Sequence, residues 1–368
     1  MHGVSGDNSS KGSPQGDVNG EPKMPQLANS SLEDRPTAVV VSLHSRSTLT
    51  GQRSSRRLAL QPKYGHGVSH VDVRYQWTGA ADAPTVIVQG GISADRHVAG
   101  TDQGQPGWWS ELVGHGQAID LAHCRVLSID WLTPADFEHS PRAISSEDQA
   151  DALAALVEAL GIGRVAAFIG SSYGAMTALA FAARHPGKLE KLVLLAGAHR
   201  AHPMATAQRA IQRQILRLGQ VSGQIDEALS LARQLAMTTY RGSEEFARRF
   251  DGTPDYREGR FHFPVEDYLE HAGRRFVERF DLNRFLALSE SIDLHDVSPE
   301  AVTTPATLIG FPSDRLVPLA DLCELQRRLR GSATLEVVDS PYGHDAFLKE
   351  TNKLAPLLRQ AVPSRCGA

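Results

Sequence analysis

The stretch Arg164–Arg184, RVAAFIGSSYGAMTALAFAAR, decides the fold. It opens with Arg164–Ile169, an apolar run of buried-strand type. It closes with Thr177–Arg184, an Ala-rich run that reads as a helix ending before His185-Pro186-Gly187. Between them, Gly170-Ser171-Ser172-Tyr173-Gly174 spells G-x-S-x-G at a strand-to-helix junction. Small residues two before and two after the serine are what a tight elbow needs, because the helix returns close to the strand. Ser172 then projects above a sheet as the candidate nucleophile, with Ser171 out of register. The backbone N–H of Tyr173 points toward a developing oxyanion.

Further runs of strand type lie on both sides of the elbow: Thr85–Gln89 (TVIVQ), Arg125–Asp130 (RVLSID), Leu192–Ala196 (LVLLA), Ala306–Gly310 (ATLIG) and Leu335–Asp339 (LEVVD). Ser145–Leu160 repeats apolar residues at helical spacing behind an N-cap and two acidic residues. Strands alternating with helices predict an α/β protein, a mostly parallel sheet with helices on both faces, and the elbow with the acid and base sought below makes it the α/β-hydrolase fold. Residues 200–297 break this rhythm. They are mostly helical and rich in Arg and Gln, and read as a lid inserted over one edge of the sheet. The division expected is a disordered tail over 1–35, core over 36–199, insertion over 200–297 and core again over 298–368. The tail is Gly, Ser, Asn, Asp and Pro with almost no apolar periodicity, and it lacks the apolar stretch of a secretory signal. Ala38–Leu43 is expected as a first strand and Gln52–Arg57 as a solvated basic turn.

A serine hydroxyl is a poor nucleophile at neutral pH, so a base and its orienting acid are sought, in the order Ser, Asp or Glu, His. Asp314 follows strand Ala306–Gly310 and His344 follows strand Leu335–Asp339, both in loops past strand ends, where function collects in open α/β sheets. Asp339 and Asp345 compete for the acid role; Asp345 adjoins His344, where side chains rarely meet in the geometry required. The Gly90-Gly91-Ile92-Ser93 turn after Thr85–Gln89 is the place for a second oxyanion donor, with the backbone of Gly91 and Ile92 approaching substrate. The fifteen histidines show no metal-ligand spacing, so no metal and no bound cofactor are assigned.

Charge and composition narrow the partners. Thirty-eight Lys and Arg against 42 Asp and Glu leave a formal charge of -4, which gives no electrostatic case for nucleic acid or an anionic membrane. Apolar stretches all fall short of the ~20 residues of a membrane helix. Three cysteines without C-x-x-C suit a reducing cytoplasm. The residues themselves support a serine acyl-enzyme mechanism and leave esterase and acyltransferase open, since both pass through the same acyl-serine.

Several separate stretches between about 85 and 350 resemble one family. They are Gly90–His97 with WWSELVGHGQAID (108–120), the run Gln212-Arg213-Gln214, and Thr239-Tyr240-Arg241. Further on come Arg275–Val277 with Arg279–Asp281, Asn283, Asp293 and His295-Asp296, and finally Tyr342–Leu348 (YGHDAFL). Together they resemble the homoserine O-acyltransferases of the α/β-hydrolase superfamily. The resemblance implies Ser172, Asp314 and His344 as triad. It also implies Arg213 on the homoserine carboxylate, Asp345 on the substrate ammonium, an acyl-CoA co-substrate, L-homoserine as acceptor and a homodimer. The donor is open between succinyl-CoA, which is preferred, and acetyl-CoA, and the acceptor between homoserine and serine. A carboxylesterase is the further alternative. The chain departs from the family pattern at Tyr173 and Ala175, and Ser128–Ser146 lacks the family's G-S-T-G-P loop.

Overall fold

The computed structural model describes residues 52–101 and 104–362. The tail to residue 35 and the strand expected at Ala38–Leu43 lie outside the described residues. Eight strands form the main sheet: β1 (Gln52–Leu60), β2 (Ser69–Gly79), β3 (Thr85–Gln89), β4 (Arg125–Ile129), β5 (Ala167–Ser171), β6 (Leu192–Leu195), β7 (Ala306–Gly310) and β8 (Ala333–Val337). Their spatial order is β1-β2-β4-β3-β5-β6-β7-β8. β2 runs antiparallel to both β1 and β4, and every other neighbour is parallel.

Strands β3, β5 and β6 are buried at every position, which is why they read as unbroken apolar runs: helices cover both their faces. Side chains on the two faces of the sheet form separate cores, one around Phe168, Phe181 and Leu194, the other around Val88, Ile169 and Phe311. The turn expected at Gln52–Arg57 is instead the first part of β1. Leu58 and Leu60 are buried while Arg57 and Ala59 are exposed, so the segment has the period of two that an edge strand paired with β2 requires. β5 starts three residues later than its apolar run and extends to Ser171. β8 starts two residues earlier than expected, because Ala333 pairs with Ala306.

Helix α1 (Ser146–Ala159) is capped by Ser145, which accepts from the Asp148 amide while Asp148 accepts from the Ser145 amide at 2.7 Å. Helix α2 (Tyr173–Arg184) follows the elbow directly. Between β6 and β7 the chain builds α3 (Pro203–Ser222), α4 (Ile225–Tyr240), α5 (Ser243–Arg249), a short hairpin, α6 (Pro264–Val277) and α7 (Leu282–Asp293). This insertion has a small core of its own around Leu216, Leu229 and Phe285. α8 (Leu319–Arg328) lies between β7 and β8. Among the described residues no helix is long and apolar enough to cross a membrane.

Candidate active site

Ser172 stands between β5 and α2 with φ 54° and ψ −118°, a strained conformation that a side chain other than glycine rarely adopts. The flanking sequence makes this turn possible. A Cβ added to Gly170 would lie 2.2 Å from the carbonyl oxygen of Gly174, and one added to Gly174 would lie 2.1 Å from that of Gln89. The Ala175 methyl is accommodated by the absence of one at Gly197, where an added Cβ would lie 2.4 Å from it.

His344 and Asp314 meet this serine. His344 Nε2 lies 2.8 Å from Ser172 Oγ, and His344 Nδ1 lies 2.7 Å from Asp314 Oδ2. The other Asp314 oxygen accepts from the amides of Leu316 at 2.8 Å and Val317 at 3.1 Å, so the carboxylate is fixed on both sides. A carboxylate only accepts, so Nδ1 donates to it and Nε2 is left to accept the serine proton. Tyr240 stacks on the imidazole with ring centroids 6.1 Å apart, and Phe347 meets it edge-on at 5.8 Å. Burial pushes the His344 pKa down, but the Asp314 charge and hydrogen bond outweigh it and hold it above the ordinary value.

A cavity of about 420 Å³ opens over Ser172, lined by Gly91, Ile92, Tyr173, His344 and Asp345 among others. The Tyr173 amide sits at the first position of α2, where it has no acceptor within the helix and the helix dipole favours negative charge. Gly91 backs onto Ser172: a Cβ there would lie 3.9 Å from Ser172 Oγ. These backbones border the position where an oxyanion would form.

Asp345 lines the cavity next to His344, with its Oδ2 3.1 Å from Arg241 Nε. Burial pushes its pKa up, and Arg241 and His344 only partly offset that. Arg213, to which the family resemblance gives the acceptor carboxylate, lies on α3. It is not among the cavity-lining residues. Its Nη1 lies 2.7 Å from Asp293 Oδ2 and donates to Ser289 Oγ at 2.9 Å, so α7 engages the guanidinium beside the cavity. Among the described residues the arginines that line the cavity are Arg200, Arg209, Arg233 and Arg241. Arg209 also binds Asp293, at 2.6 Å, so one carboxylate serves two arginines. Among the described residues Arg233 has no carboxylate within ion-pair distance, though its charge acts on Asp345. It lies over the rings of Tyr240, 5.3 Å from the centroid, and Phe276, 4.8 Å. Sequence reasoning passed over Arg233, since nothing in a helical Ala-Arg-Gln run marks it. Among the described residues no group of three His, Cys, Asp or Glu could hold a metal ion.

A G-x-S-x-G elbow, a Ser-His-Asp relay and this strand order define a serine-nucleophile α/β protein, and residues 84–351 match the α/β hydrolase fold family. The chain is 47% identical to a homoserine O-succinyltransferase of Xanthomonas campestris pv. campestris over 80% of each chain. It is 35% identical to an L-serine/homoserine O-acetyltransferase of Streptomyces lavendulae, covering 77% of this chain and 89% of that one. The crystal structure of homoserine O-acetyltransferase from Bacillus anthracis shares the fold, with TM-score 0.78 and 18% identity over 86% of this chain and 99% of that one. The chain belongs to the homoserine and serine O-acyltransferases of the α/β-hydrolase family.

Proposed function

We propose that this protein transfers an acyl group, preferentially succinyl, from acyl-CoA to the side-chain hydroxyl of L-homoserine, with Ser172 as the covalent acyl carrier. The observation that carries the reading is the hydrogen-bonded chain Ser172–His344–Asp314 at the floor of a cavity that holds both an acidic group, Asp345, and an arginine with no carboxylate within ion-pair distance among the described residues, Arg233. An ester hydrolase needs no such pair of opposite charges; an acceptor amino acid, itself a zwitterion, does.

His344 takes the Ser172 proton as Oγ attacks the thioester carbonyl, and Asp314 stabilises the imidazolium. The amides of Tyr173 and Ile92 hold the oxyanion; collapse expels CoA as its thiol, with the proton returned by His344. The acceptor hydroxyl then attacks the acyl-serine with His344 again as base, and collapse breaks the acyl–Oγ bond, releasing the O-acyl amino acid while His344 returns the proton to Ser172. Asp345 receives the ammonium of the acceptor, and Arg233 holds a substrate carboxylate in place of the role first expected for Arg213. The insertion covers the site, and transfer outruns hydrolysis because bulk water is excluded and the acceptor is oriented. The succinyl preference is supported by the relative at 47% identity.

The reading extends to assembly. Met204, Ile211 and Leu218 recur every seven residues along α3 and are 60%, 51% and 70% exposed, with Val221 beside them at 89%. An exposed apolar stripe of this kind can bury itself against its own copy about a two-fold axis, and we assign it to a homodimer. Cys124 and Cys323 are free thiols, which fits a reducing cytoplasm.

The deciding experiment pairs succinyl-CoA or acetyl-CoA with L-homoserine or L-serine and follows CoA release and product mass. O-succinylhomoserine formation that vanishes in Ser172→Ala is expected. Faster acetyl transfer, or serine as the better acceptor, would replace that substrate and keep the mechanism. CoA release without an acylated amino acid would make the protein a hydrolase.

A further inference from the structure

Trp131 follows Asp130 just past the end of β4. Its side chain is fully buried. The indole Nε1 donates to the carbonyl oxygen of Gly91 at 2.9 Å, and that oxygen also accepts from the Ala94 amide at 3.0 Å. In a planar trans peptide the C=O and N–H of one unit point in opposite directions. Anchoring the Gly91 carbonyl therefore sets where the Ile92 N–H points, away from Trp131 and Ala94. With two donors on one oxygen, the peptide cannot rotate without losing both.

The same indole touches the side chain of the residue whose amide is the other oxyanion donor. Its ring meets the Tyr173 ring edge-on at 4.7 Å, and the Tyr173 hydroxyl is 2.5 Å from Ser291 Oγ on α7. α7 also reaches the Trp131 backbone, since Arg284 Nη1 donates to the Trp131 carbonyl oxygen at 3.0 Å. Leu288 of α7 completes the cluster with Trp131, Tyr173 and Met176. One buried side chain thus contacts both halves of the oxyanion site and the helical insertion.

We infer that Trp131 is the positioning residue of the oxyanion hole, aiming the Ile92 amide and coupling that aim to the seating of α7. The inference rests on Ser172 being the acyl carrier. It assigns Trp131 no contact with substrate; its effect passes through Ile92 and Tyr173. An oxyanion donor acts only when held to within about 0.5 Å and 10–20° of its productive geometry.

The test replaces Trp131 with benzothienylalanine, which keeps the bicyclic ring and deletes the N–H, and with Phe as the genetically simple variant. Single-turnover formation of acyl-Ser172 from succinyl-CoA and from acetyl-CoA is followed by intact mass, beside steady-state KM and thermal melting. Removing an oxyanion donor outright costs about 10²–10³ in rate, so mis-aiming one is expected to slow acylation by about tenfold or more. KM for the donor is expected to stay within about threefold, since the interaction forms only in the transition state, and the benzothienyl protein should melt with the wild type. If Trp131→Phe does not fold, the benzothienyl protein decides alone. A benzothienyl protein that acylates at the wild-type rate, or that loses rate only in step with KM or melting temperature, overturns the inference. Arg284→Met is expected to slow the same step; wild-type acylation in that variant overturns the coupling to α7. If the wild type forms no acyl-Ser172 with either donor, it is the underlying function that fails.

Discussion

The amide of Gly174 donates to the carbonyl oxygen of Gly90 at 2.9 Å, joining the turn after Ser172 to the turn proposed to supply the second oxyanion backbone. The approach leaves no room for a side chain. Gly174→Ala would put its Cβ 2.1 Å from the Gln89 carbonyl oxygen and force the two turns apart. We expect a loss of about 1–3 kcal/mol by chemical denaturation, as for other overpacked sites, together with loss of acylation. Gly187→Ala, where an added Cβ meets nothing within 4 Å, is expected to match the wild type in both. Equal behaviour of the two variants would refute the close-approach argument.

The pH dependence follows from His344. Its pKa is raised above the ordinary 6.5, and the base works only when neutral, so the acidic limb of the acylation profile should lie above 6.5. Asp314→Asn removes the group that outweighs burial. The limb is then expected to move down, and the rate to fall by about 10³–10⁴, as in other serine triads. The stability sign is fixed by the same shift. A folded-state pKa that is raised stabilises the protein below the unfolded value, and this contribution is lost as pH rises through the folded value. The stability gap between wild type and Asp314→Asn should therefore narrow as pH rises; a constant gap across that window would count against the ion pair as its source.

Arg233 and Arg213 should behave as different kinds of residue. Arg233→Met is expected to raise the KM of one substrate about tenfold or more, as loss of a charge-assisted contact would, with only the small loss of melting temperature that its contacts to the Tyr240 and Phe276 rings account for. A rise confined to homoserine assigns the contact to the acceptor carboxylate, and one confined to succinyl-CoA assigns it to the acyl group. Arg213→Met breaks the contacts to Asp293 and Ser289, and is expected to lower stability by about 1–3 kcal/mol. Unchanged kinetics in Arg233→Met, with a large KM effect in a stable Arg213→Met, would restore the role to Arg213.

The α3 seam predicts that Ile211→Glu with Leu218→Glu converts a dimer to a monomer in sedimentation experiments while each chain stays folded. A like charge facing itself across a two-fold axis is unfavourable at both positions. A wild type that sediments as a monomer at micromolar concentration would remove the interface from α3.

Much of the sheet was legible because its central strands are buried on both faces. Thr85–Gln89 and Ala306–Gly310 read as apolar runs and occur as strands with the same limits. β1 and β2 were obscured. In β2 Ser69, Val71 and Val73 are buried between exposed His70, Asp72 and Arg74, an alternation that charged residues interrupt on every second position. In β1 the arginines drew the reading toward a turn, yet a strand with one solvated face accepts them. Strand limits shifted by two or three residues at β5 and β8, because ladder pairing, rather than local hydrophobicity, sets where a strand begins.

By itself the sequence determined the elbow, with its small residues around Ser172, and the order in which Ser172, Asp314 and His344 follow strand ends. Both depend on local chain geometry and connectivity, which residue type and spacing record directly. Only the tertiary structure decided which arginine faces the cavity. Arg209 and Arg213 share one face of α3, and Asp293 of α7 binds both, but Arg209 alone of the two lines the cavity. The same holds for the indole of Trp131 on the Gly91 carbonyl, forty residues away in sequence. Such contacts are set by how separate elements pack, and no periodicity along the chain encodes the distance between them.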